Sequence, residues 1–166
     1  FPDFTVALVG PEHGRKNLWS CAEAARRAGA VLAYSPSLAA LVEPFAAAVG
    51  LKAVQLEPTP DNLARCHVGL CASLAETFCL AAAEMLSAGL PVVGWAGIPA
   101  LAGDGAVLVT DPCDPGSLAR ALGSARSIPA AKALEHGRDL AFARARECRE
   151  QLAALVRKAR QKEPAP

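Results

Sequence analysis

The sequence predicts an α/β protein whose parallel sheet is covered by helices on both faces, and three observations lead to this prediction. Short apolar runs alternate with longer helical stretches through most of the chain. Apolar residues make up 52% of the sequence but aromatic residues only 5%, which suits small side chains packed between helices and a sheet. A chain of 166 residues buries roughly two thirds of its unfolded surface, so it needs neither disulfides nor a metal to fold.

Six strands are predicted, in chain order, from runs of apolar residues. Each run is nearly continuous, as expected for strands that are buried on both faces of a parallel sheet. The first and fifth runs end at glycine, which favours a turn at that point. The predicted strands are residues 4–10, 31–34, 53–56, 67–71, 91–94 and 106–110.

The predicted helices alternate with these strands, and several carry start or stop signals. Thr59-Pro60-Asp61 combines a capping hydroxyl, a proline at the first helical position and an acidic first turn. Gly50 and Gly89 are placed to end the helices that precede them. The helices are residues 17–28, 37–49, a short one after Thr59, 77–88, and one from Asp114-Pro115 to about Arg126; residues 129–162 form one or two more. The sequence thus predicts a Rossmann-like, six-stranded domain in residues 1–128 and a helical extension with a tail in residues 129–166.

Charge and cysteine usage exclude several functional classes. Seventeen basic and sixteen acidic side chains leave a net charge of +1, which argues against a nucleic-acid-binding module. The six cysteines form no CxxC pair, so reduced, buried thiols are predicted and no metal site or cofactor. No apolar run approaches the length of a membrane span, and no leader opens the chain. We expect a cytoplasmic location.

The loop after the first strand, residues 10–17, is the first candidate functional segment. It lacks both the GxGxxG pattern and the P-loop lysine motif. Instead, it brings Arg15 and Lys16, behind Gly10, to the edge of the sheet at a helix N-terminus, where a diphosphate would be favoured. The alternative is a solvated basic pair, although cations at a helix start oppose the helix dipole.

The second candidate segment, residues 73–89, carries two carboxylates. Glu84 is the only charged residue of an otherwise apolar predicted helix, and an unpaired buried carboxylate is costly. It must therefore reach water, a cation or ligand hydroxyls. One interpretation makes Glu76 a helix cap and Glu84 the partner of Arg15 or Lys16. In the other interpretation, both carboxylates accept hydrogen bonds from sugar hydroxyls.

The residues of this segment and its continuation resemble a known family. The sequence resembles the donor half of GT-B glycosyltransferases, and most closely their large group 4 family, whose signature is two glutamates with seven residues between them. Glu76 and Glu84 match that spacing, and the resemblance covers about residues 4–126. The matching residues are Ser73, Glu76-Thr77-Phe78, Glu84-Met-Leu-Ser-Ala-Gly89, Pro91-Val-Val93, Gly97-Ile98-Pro99, Gly103-Asp104-Gly105 and Asp111-Pro112.

The resemblance implies a role for each candidate residue. The family binds a nucleotide-diphosphate sugar in a cleft between two Rossmann-like domains, generally without a metal. Glu76 corresponds to the catalytic-site glutamate at the donor sugar, and Glu84 to the glutamate at the ribose hydroxyls. The other implied donor-binding positions are Gly10, at the end of the first strand; Arg15 and Lys16, at the diphosphate; and Thr77 and Phe78, through backbone N–H groups.

The sequence also departs from the family pattern. The family commonly has glycine directly after the first glutamate and again two residues later, whereas this chain has Thr77 and Cys79. Pro11 replaces the arginine that usually follows the first-strand glycine. Ala100 replaces the acidic residue expected after Pro99. These differences indicate a donor site that is recognisable but altered.

The leading hypothesis is therefore a glycosyltransferase donor domain that transfers a sugar from a nucleotide diphosphate to an acceptor hydroxyl. Such a domain needs an N-terminal acceptor domain or a separate subunit. The chain begins with Phe1 rather than methionine, so we expect it to be part of a longer protein. The alternative is a non-catalytic, degenerate interaction module. A nucleotide-sugar epimerase of the same architecture is a third hypothesis, but its catalytic residues cannot be assigned.

The predicted C-terminal extension is rich in basic residues. Apolar positions such as Leu140, Leu152 and Leu155 recur at helical spacing among them, which predicts an amphipathic helix. The favoured interpretation is that this helix packs back across the domain. The alternative is contact with anionic lipid at a membrane surface.

Overall fold

The computed structural model describes residues 1–10 and 16–160, with side chains to residue 155. Its sheet has six parallel strands in the spatial order β3-β2-β1-β4-β5-β6. This order reverses direction between β1 and β4, the point at which open α/β sheets bind ligands. The strands are β1 Thr5–Leu8, β2 Val31–Tyr34, β3 Ala53–Gln55, β4 Val68–Leu70, β5 Val92–Trp95 and β6 Ala106–Val109.

Helices cover both faces of the sheet. Two begin at predicted caps: Thr59 Oγ1 accepts a hydrogen bond from the Asn62 amide at 3.3 Å, and the Asp114 carboxylate accepts from the Gly116 and Ser117 amides. Short 3₁₀ helices occupy Pro36–Leu38 and Pro99–Leu101. The α-helices are α1 Leu18–Arg27, α2 Ala39–Val49, α3 Pro60–Leu63, α4 Leu80–Ser87, α5 Pro115–Ala125 and α6 Ala130–Arg160.

The core has two halves, one on each face of the sheet. Successive residues of a strand point to opposite faces, so Val6 and Leu8 pack with α1, α2 and α5, while Ala7 packs with α4 and the start of α6. Both halves are made mostly of alanine and small aliphatic side chains. The predicted fold class, a Rossmann-like parallel sheet with a C-terminal helix, is confirmed.

The predicted start of the fourth helix is wrong. Residues 77–88 were expected to be helical, but α4 begins only at Leu80. Cys79 adopts φ 71°, ψ 78°, a left-handed conformation that cannot continue a right-handed helix. Thr77 and Phe78 therefore lie in the loop before α4 rather than in its first turn.

Helix α6 is 31 residues long and packs against α4, and the buried residues among its described side chains lie in its first turns. Gly137 lies against the α4 backbone, because a Cβ built there would come within 2.6 Å of the Ser87 amide nitrogen. From residue 141 to residue 153 every residue of α6 is exposed. Phe142 and Leu152 are among these exposed residues.

His136, near the start of α6, is a buried titratable group. Neither ring nitrogen finds a hydrogen-bond partner within the described ranges. Burial lowers the pKa of His136, while the nearby carboxylates of Asp139 and Asp104 act in the opposite direction. The native protein therefore holds this imidazole neutral at a pH where the unfolded chain protonates it.

We expect this histidine to make the protein less stable in mild acid. Because its pKa is lower in the folded state, the unfolded chain binds the extra proton as the pH falls below the ordinary value of about 6.5. The free energy of unfolding should thus fall between pH 6.5 and 5, and His136→Phe should flatten that dependence in urea titrations. His67→Asn is a control on a histidine that already has a partner, the Thr5 amide. An unchanged slope in His136→Phe contradicts the assignment.

Candidate functional site

A cavity of about 490 Å³ opens at the carboxyl edge of the sheet, where β1 and β4 end side by side. Six of the seven residues predicted to bind or act on the donor line it; Arg15, the seventh, lies outside the described residues. Long-range folding therefore brings together positions that are up to 74 residues apart. The cavity is lined by Gly10, Lys16, Glu76, Thr77, Phe78, Cys79, Leu80, Ala81, Glu84 and Arg144.

A buried ion pair lies in this cavity. Lys16 Nζ donates a hydrogen bond to Glu76 Oε1 at 2.9 Å, and the two side chains are only 9% and 8% exposed. Burial at this level makes each charge depend on the other, since an uncompensated ion in such a place is strongly destabilising. The partner of Lys16 is thus Glu76, so the interpretation that paired Lys16 with Glu84 is wrong.

Gly10 leaves the space in which Lys16 lies. Its φ of +129° is a conformation that favours glycine, and a Cβ at this position would lie 3.2 Å from Lys16 Cε and 3.3 Å from Nζ. The Gly10 amide donates to Ser35 Oγ, and its carbonyl accepts from Ser37 Oγ. Gly10 is therefore held by Ser35 and Ser37, which follow β2, and the Lys16 side chain lies beside it.

The loop that carries Glu76, residues 71–79, is fixed at both ends. At its start, Trp95 Nε1 donates to the Ser73 carbonyl at 2.7 Å, which ties the loop to the end of β5. At its end, Cys79 takes the left-handed conformation at the position where the resembling family commonly has glycine. An L-residue there costs roughly 1 kcal/mol or more. The loop adopts this conformation despite its free-energy cost, and the Cys79 side chain packs in the core.

The two cysteines that bound this loop are in contact. Cys71 Sγ and Cys79 Sγ lie 3.0 Å apart, and both residues are buried. The hydrogen bond from the Cys71 thiol lowers the pKa of Cys79 to about 7, and the positive charge of Lys16 acts in the same direction. The same contact, together with burial, raises the pKa of Cys71 well above its ordinary value.

The wall formed by α4 and α6 carries charges of both signs. Glu84 is exposed on α4, as expected of a lone carboxylate in an apolar helix. Arg144, on α6, lies over the Phe78 ring at 5.3 Å from its centroid and donates to Glu147 Oε2 at 2.6 Å. The sequence analysis missed Arg144 as a site residue, because only the packing of α6 on α4 brings it to the cavity.

Two searches of the described residues gave negative results. Across residues 1–10 and 16–160, no group of three or more His, Cys, Asp or Glu side chains has the arrangement needed to hold a metal ion. None of the helices in those ranges combines enough length with enough apolar character to cross a bilayer.

The six-stranded parallel sheet and the charged cavity at its carboxyl edge place the chain among Rossmann-like α/β domains, and comparison with known proteins identifies the family. Residues 22–127 match the family model described as "Glycosyl transferases group 1". The chain therefore belongs to this glycosyltransferase family, and the predicted resemblance to the donor half of GT-B enzymes is confirmed. A search of curated proteins gives no match.

Several solved structures with a similar fold are glycosyltransferases. An α,α-trehalose 6-phosphate synthase from Burkholderia multivorans is 18% identical with a TM-score of 0.67, over 99% of this chain and 45% of that one. HepE from Anabaena, in complex with UDP and glucose, is 16% identical with a TM-score of 0.68, over 92% and 48%. The pneumococcal O-GlcNAc transferase GtfA, in complex with UDP and GlcNAc, is 14% identical with a TM-score of 0.64, over 82% and 32%. The chain thus spans less than half the length of these three proteins.

Proposed function

We propose that this chain is the donor domain of a glycosyltransferase and binds a nucleotide-diphosphate sugar in the cavity between β1 and β4. The observation that carries the proposal is the buried pair of Lys16 and Glu76 in that cavity. A cation and a carboxylate held there can serve the two halves of such a donor, its diphosphate and its sugar. Family membership and the UDP complexes of two structural neighbours support the same ligand class.

Lys16 would bind the diphosphate. In glycosyl transfer the bond between the sugar and the distal phosphate breaks, so negative charge grows on the leaving phosphate oxygen. A cation fixed in advance beside that oxygen stabilises the transition state more than the ground state. Lys16 is suited to this role because burial and its hydrogen bond hold its ammonium group in one place.

Glu76 would bind the sugar ring, and Glu84 the ribose. Once the diphosphate takes over Lys16, the Glu76 carboxylate can accept hydrogen bonds from sugar hydroxyls and position the anomeric carbon. Glu84 is exposed on the same wall of the cavity, so its two oxygens can accept hydrogen bonds from a vicinal pair of hydroxyls. Neither role needs a metal ion.

Thr77, Phe78 and Arg144 would complete the donor site. Thr77 and Phe78 precede α4 and line the cavity, so their backbone N–H groups remain candidates for phosphate or sugar contacts. Arg144 adds a second cation on the wall formed by α4 and α6, where its guanidinium lies over the Phe78 ring. A cation in this position would offset the charge of Glu84 when an anionic donor enters.

The acceptor would be bound elsewhere. The chain spans 32–48% of the three glycosyltransferases compared above, so we propose that a separate N-terminal domain or subunit supplies the acceptor side of the cleft. The isolated chain would then bind a nucleotide diphosphate weakly and transfer no sugar.

Calorimetry with UDP, GDP and ADP tests the proposed donor site. We expect one of the three nucleotides to bind, and Glu84→Gln to weaken that binding by about tenfold or more, since hydrogen bonds to a charged group are worth about 1.5–3 kcal/mol. Because Glu84 is exposed, this variant should fold normally. Glu150→Gln makes the same chemical change on an exposed residue of α6 and should bind like the unaltered protein. No binding of any of the three nucleotides would overturn the proposal.

A second candidate function is a non-catalytic interaction module. It is favoured by the backbone at Cys79, where a strained non-glycine residue stands at a position that is commonly glycine in the family. Under this hypothesis the ion pair of Lys16 and Glu76 is purely structural. Binding of a second polypeptide together with failure to bind all three nucleotides would favour the module over the donor domain.

A further inference from the structure

The loop that carries Glu76 is bounded by two thiols in contact. Cys71 directly follows β4 and Cys79 directly precedes α4, with their sulfur atoms 3.0 Å apart. A disulfide bond is about 2.05 Å long, so the sulfur atoms need to approach by only about 1 Å. Both residues are buried, at 4% and 5% exposure, yet Cys79 also lines the cavity that opens to solvent.

We propose that Cys71 and Cys79 form a reversible intramolecular disulfide when the protein meets a peroxide, and that this bond closes the loop carrying Glu76. The site is thus a modification site whose reagent is a small peroxide, which can reach Cys79 through the cavity. Three features support it: the contact between the sulfur atoms, the cation Lys16 in the same cavity, and the single loop that the bond would close.

The two thiols are suited to different steps. Cys79, with its pKa lowered to about 7, is partly thiolate near neutral pH and is therefore the nucleophile. Its sulfur attacks one oxygen of hydrogen peroxide; the S–O bond forms, the O–O bond breaks, and hydroxide leaves. This step gives a sulfenic acid at Cys79, and the hydroxide becomes water by taking up the proton that the Cys79 thiol released on ionising.

Cys71 resolves that intermediate. Its sulfur attacks the Cys79 sulfur; the S–S bond forms, the S–O bond breaks, and hydroxide departs and takes up the Cys71 proton as water. The pair of thiols loses two electrons, and one peroxide becomes two waters. Thiol–disulfide exchange with dithiothreitol returns the electrons and restores both thiols.

The bond would fix the shape of the donor loop. It joins the two ends of a nine-residue segment whose middle carries Glu76, so the unfolded chain loses conformational freedom. From that loop length and the size of the domain, we expect the oxidised protein to melt about 5 °C higher than the reduced protein.

Peptide mapping of the peroxide-treated chain tests the proposal. Cleavage after glutamate separates the two thiols, because Glu76 lies between them, and leaves Cys79 in a peptide of residues 77–84. We expect this peptide to be linked to the one that ends at Glu76, to be released by dithiothreitol, and to appear together with the rise in melting temperature. The exposed Cys113 and Cys148 are replaced by serine to prevent links between molecules.

Single variants decide which thiols take part. Cys71→Ser and Cys79→Ser should each lose both the linked peptide and the rise in melting temperature, whereas Cys66→Ser, which leaves the pair intact, should keep both. If one of the two single variants fails to fold, the other one still decides the outcome, together with the peptide map of the protein that keeps both Cys71 and Cys79. Failure to form the link, or a link that survives in Cys71→Ser, would overturn the proposal. These readouts need no nucleotide, so they stand apart from the test of the donor site.

Discussion

Replacing Lys16 with methionine should destabilise the protein and weaken its binding of a nucleotide diphosphate. Methionine keeps the length of the side chain but removes the charge, which leaves the buried carboxylate of Glu76 without the lysine that now neutralises it. Breaking one partner of a buried pair typically costs 3–5 kcal/mol. Because the cavity lets water reach the carboxylate, we expect about 3 kcal/mol in urea unfolding, and a loss of nucleotide affinity of about 30-fold or more.

A second substitution separates the structural role of this pair from the binding role. In Lys16→Met/Glu76→Gln the buried carboxylate charge that has lost its lysine is also removed, so most of the lost stability should return. Nucleotide affinity should stay low, because the phosphate-binding cation is still missing. Recovery of both properties in the double variant would show that Lys16 acts only as a partner of Glu76.

The matched control for these variants is Lys52→Met. Lys52 Nζ lies 4.0 Å from Asp3 Oδ2 at the opposite edge of the sheet, and both side chains are well exposed. Exposed pairs contribute little, so stability should change by less than about 0.5 kcal/mol and nucleotide binding should not change. A similar loss in Lys52→Met would mean that overall charge, rather than the buried pair, governs both measurements.

Replacing Gly137 with alanine, which adds one methyl group, should disrupt the packing of α6 against α4. The new Cβ in Gly137→Ala would lie 2.6 Å from the Ser87 nitrogen and 2.8 Å from the Leu86 carbonyl carbon. These are backbone atoms, which cannot rotate away, so the two helices must move apart. Overpacking of this kind costs about 1–3 kcal/mol, occasionally more, and we expect a value near the upper end in urea unfolding.

The same substitution in α5, Gly123→Ala, should have the opposite effect on stability. No atom lies within 4 Å of a Cβ built at Gly123, so only helix propensity changes there. Alanine should therefore stabilise the protein by about 0.5–1 kcal/mol. If Gly137→Ala did not lower stability, as expected for Gly123→Ala, the close contact between α4 and α6 would be wrong. The placement of Arg144 at the cavity, which depends on that contact, would then be wrong as well.

The sequence predicted the sheet well because its signals are local. Residues 31–34 form a strand as predicted, and Asp114 caps α5 with its own side chain. An apolar run of the right length or a capping residue is enough to define such an element. The two glutamates were singled out from the sequence because their spacing, within a longer run of matching residues, resembles the family signature, and both line the cavity.

The parts that the sequence did not predict depend on contacts between distant segments. Cys79 looked like one more small residue of a helix, and nothing local signals that its backbone turns left-handed. The lysine partner of Glu76 lies 60 residues away, and spacing cannot decide between Glu76 and Glu84. Arg144 reaches the cavity only because small residues let α6 approach α4 closely.

Under the proposed donor-domain function, the ion pair of Lys16 and Glu76 in the cavity would also bear on turnover. A nucleotide phosphate that took Lys16 over from Glu76 would break an existing hydrogen bond, and this loss would offset part of its binding energy. When the nucleotide product leaves, the carboxylate is only a short movement from the lysine and can replace the departing phosphate. We therefore expect the pair to keep product affinity moderate, which favours rapid release in enzymes where the departure of product limits the rate.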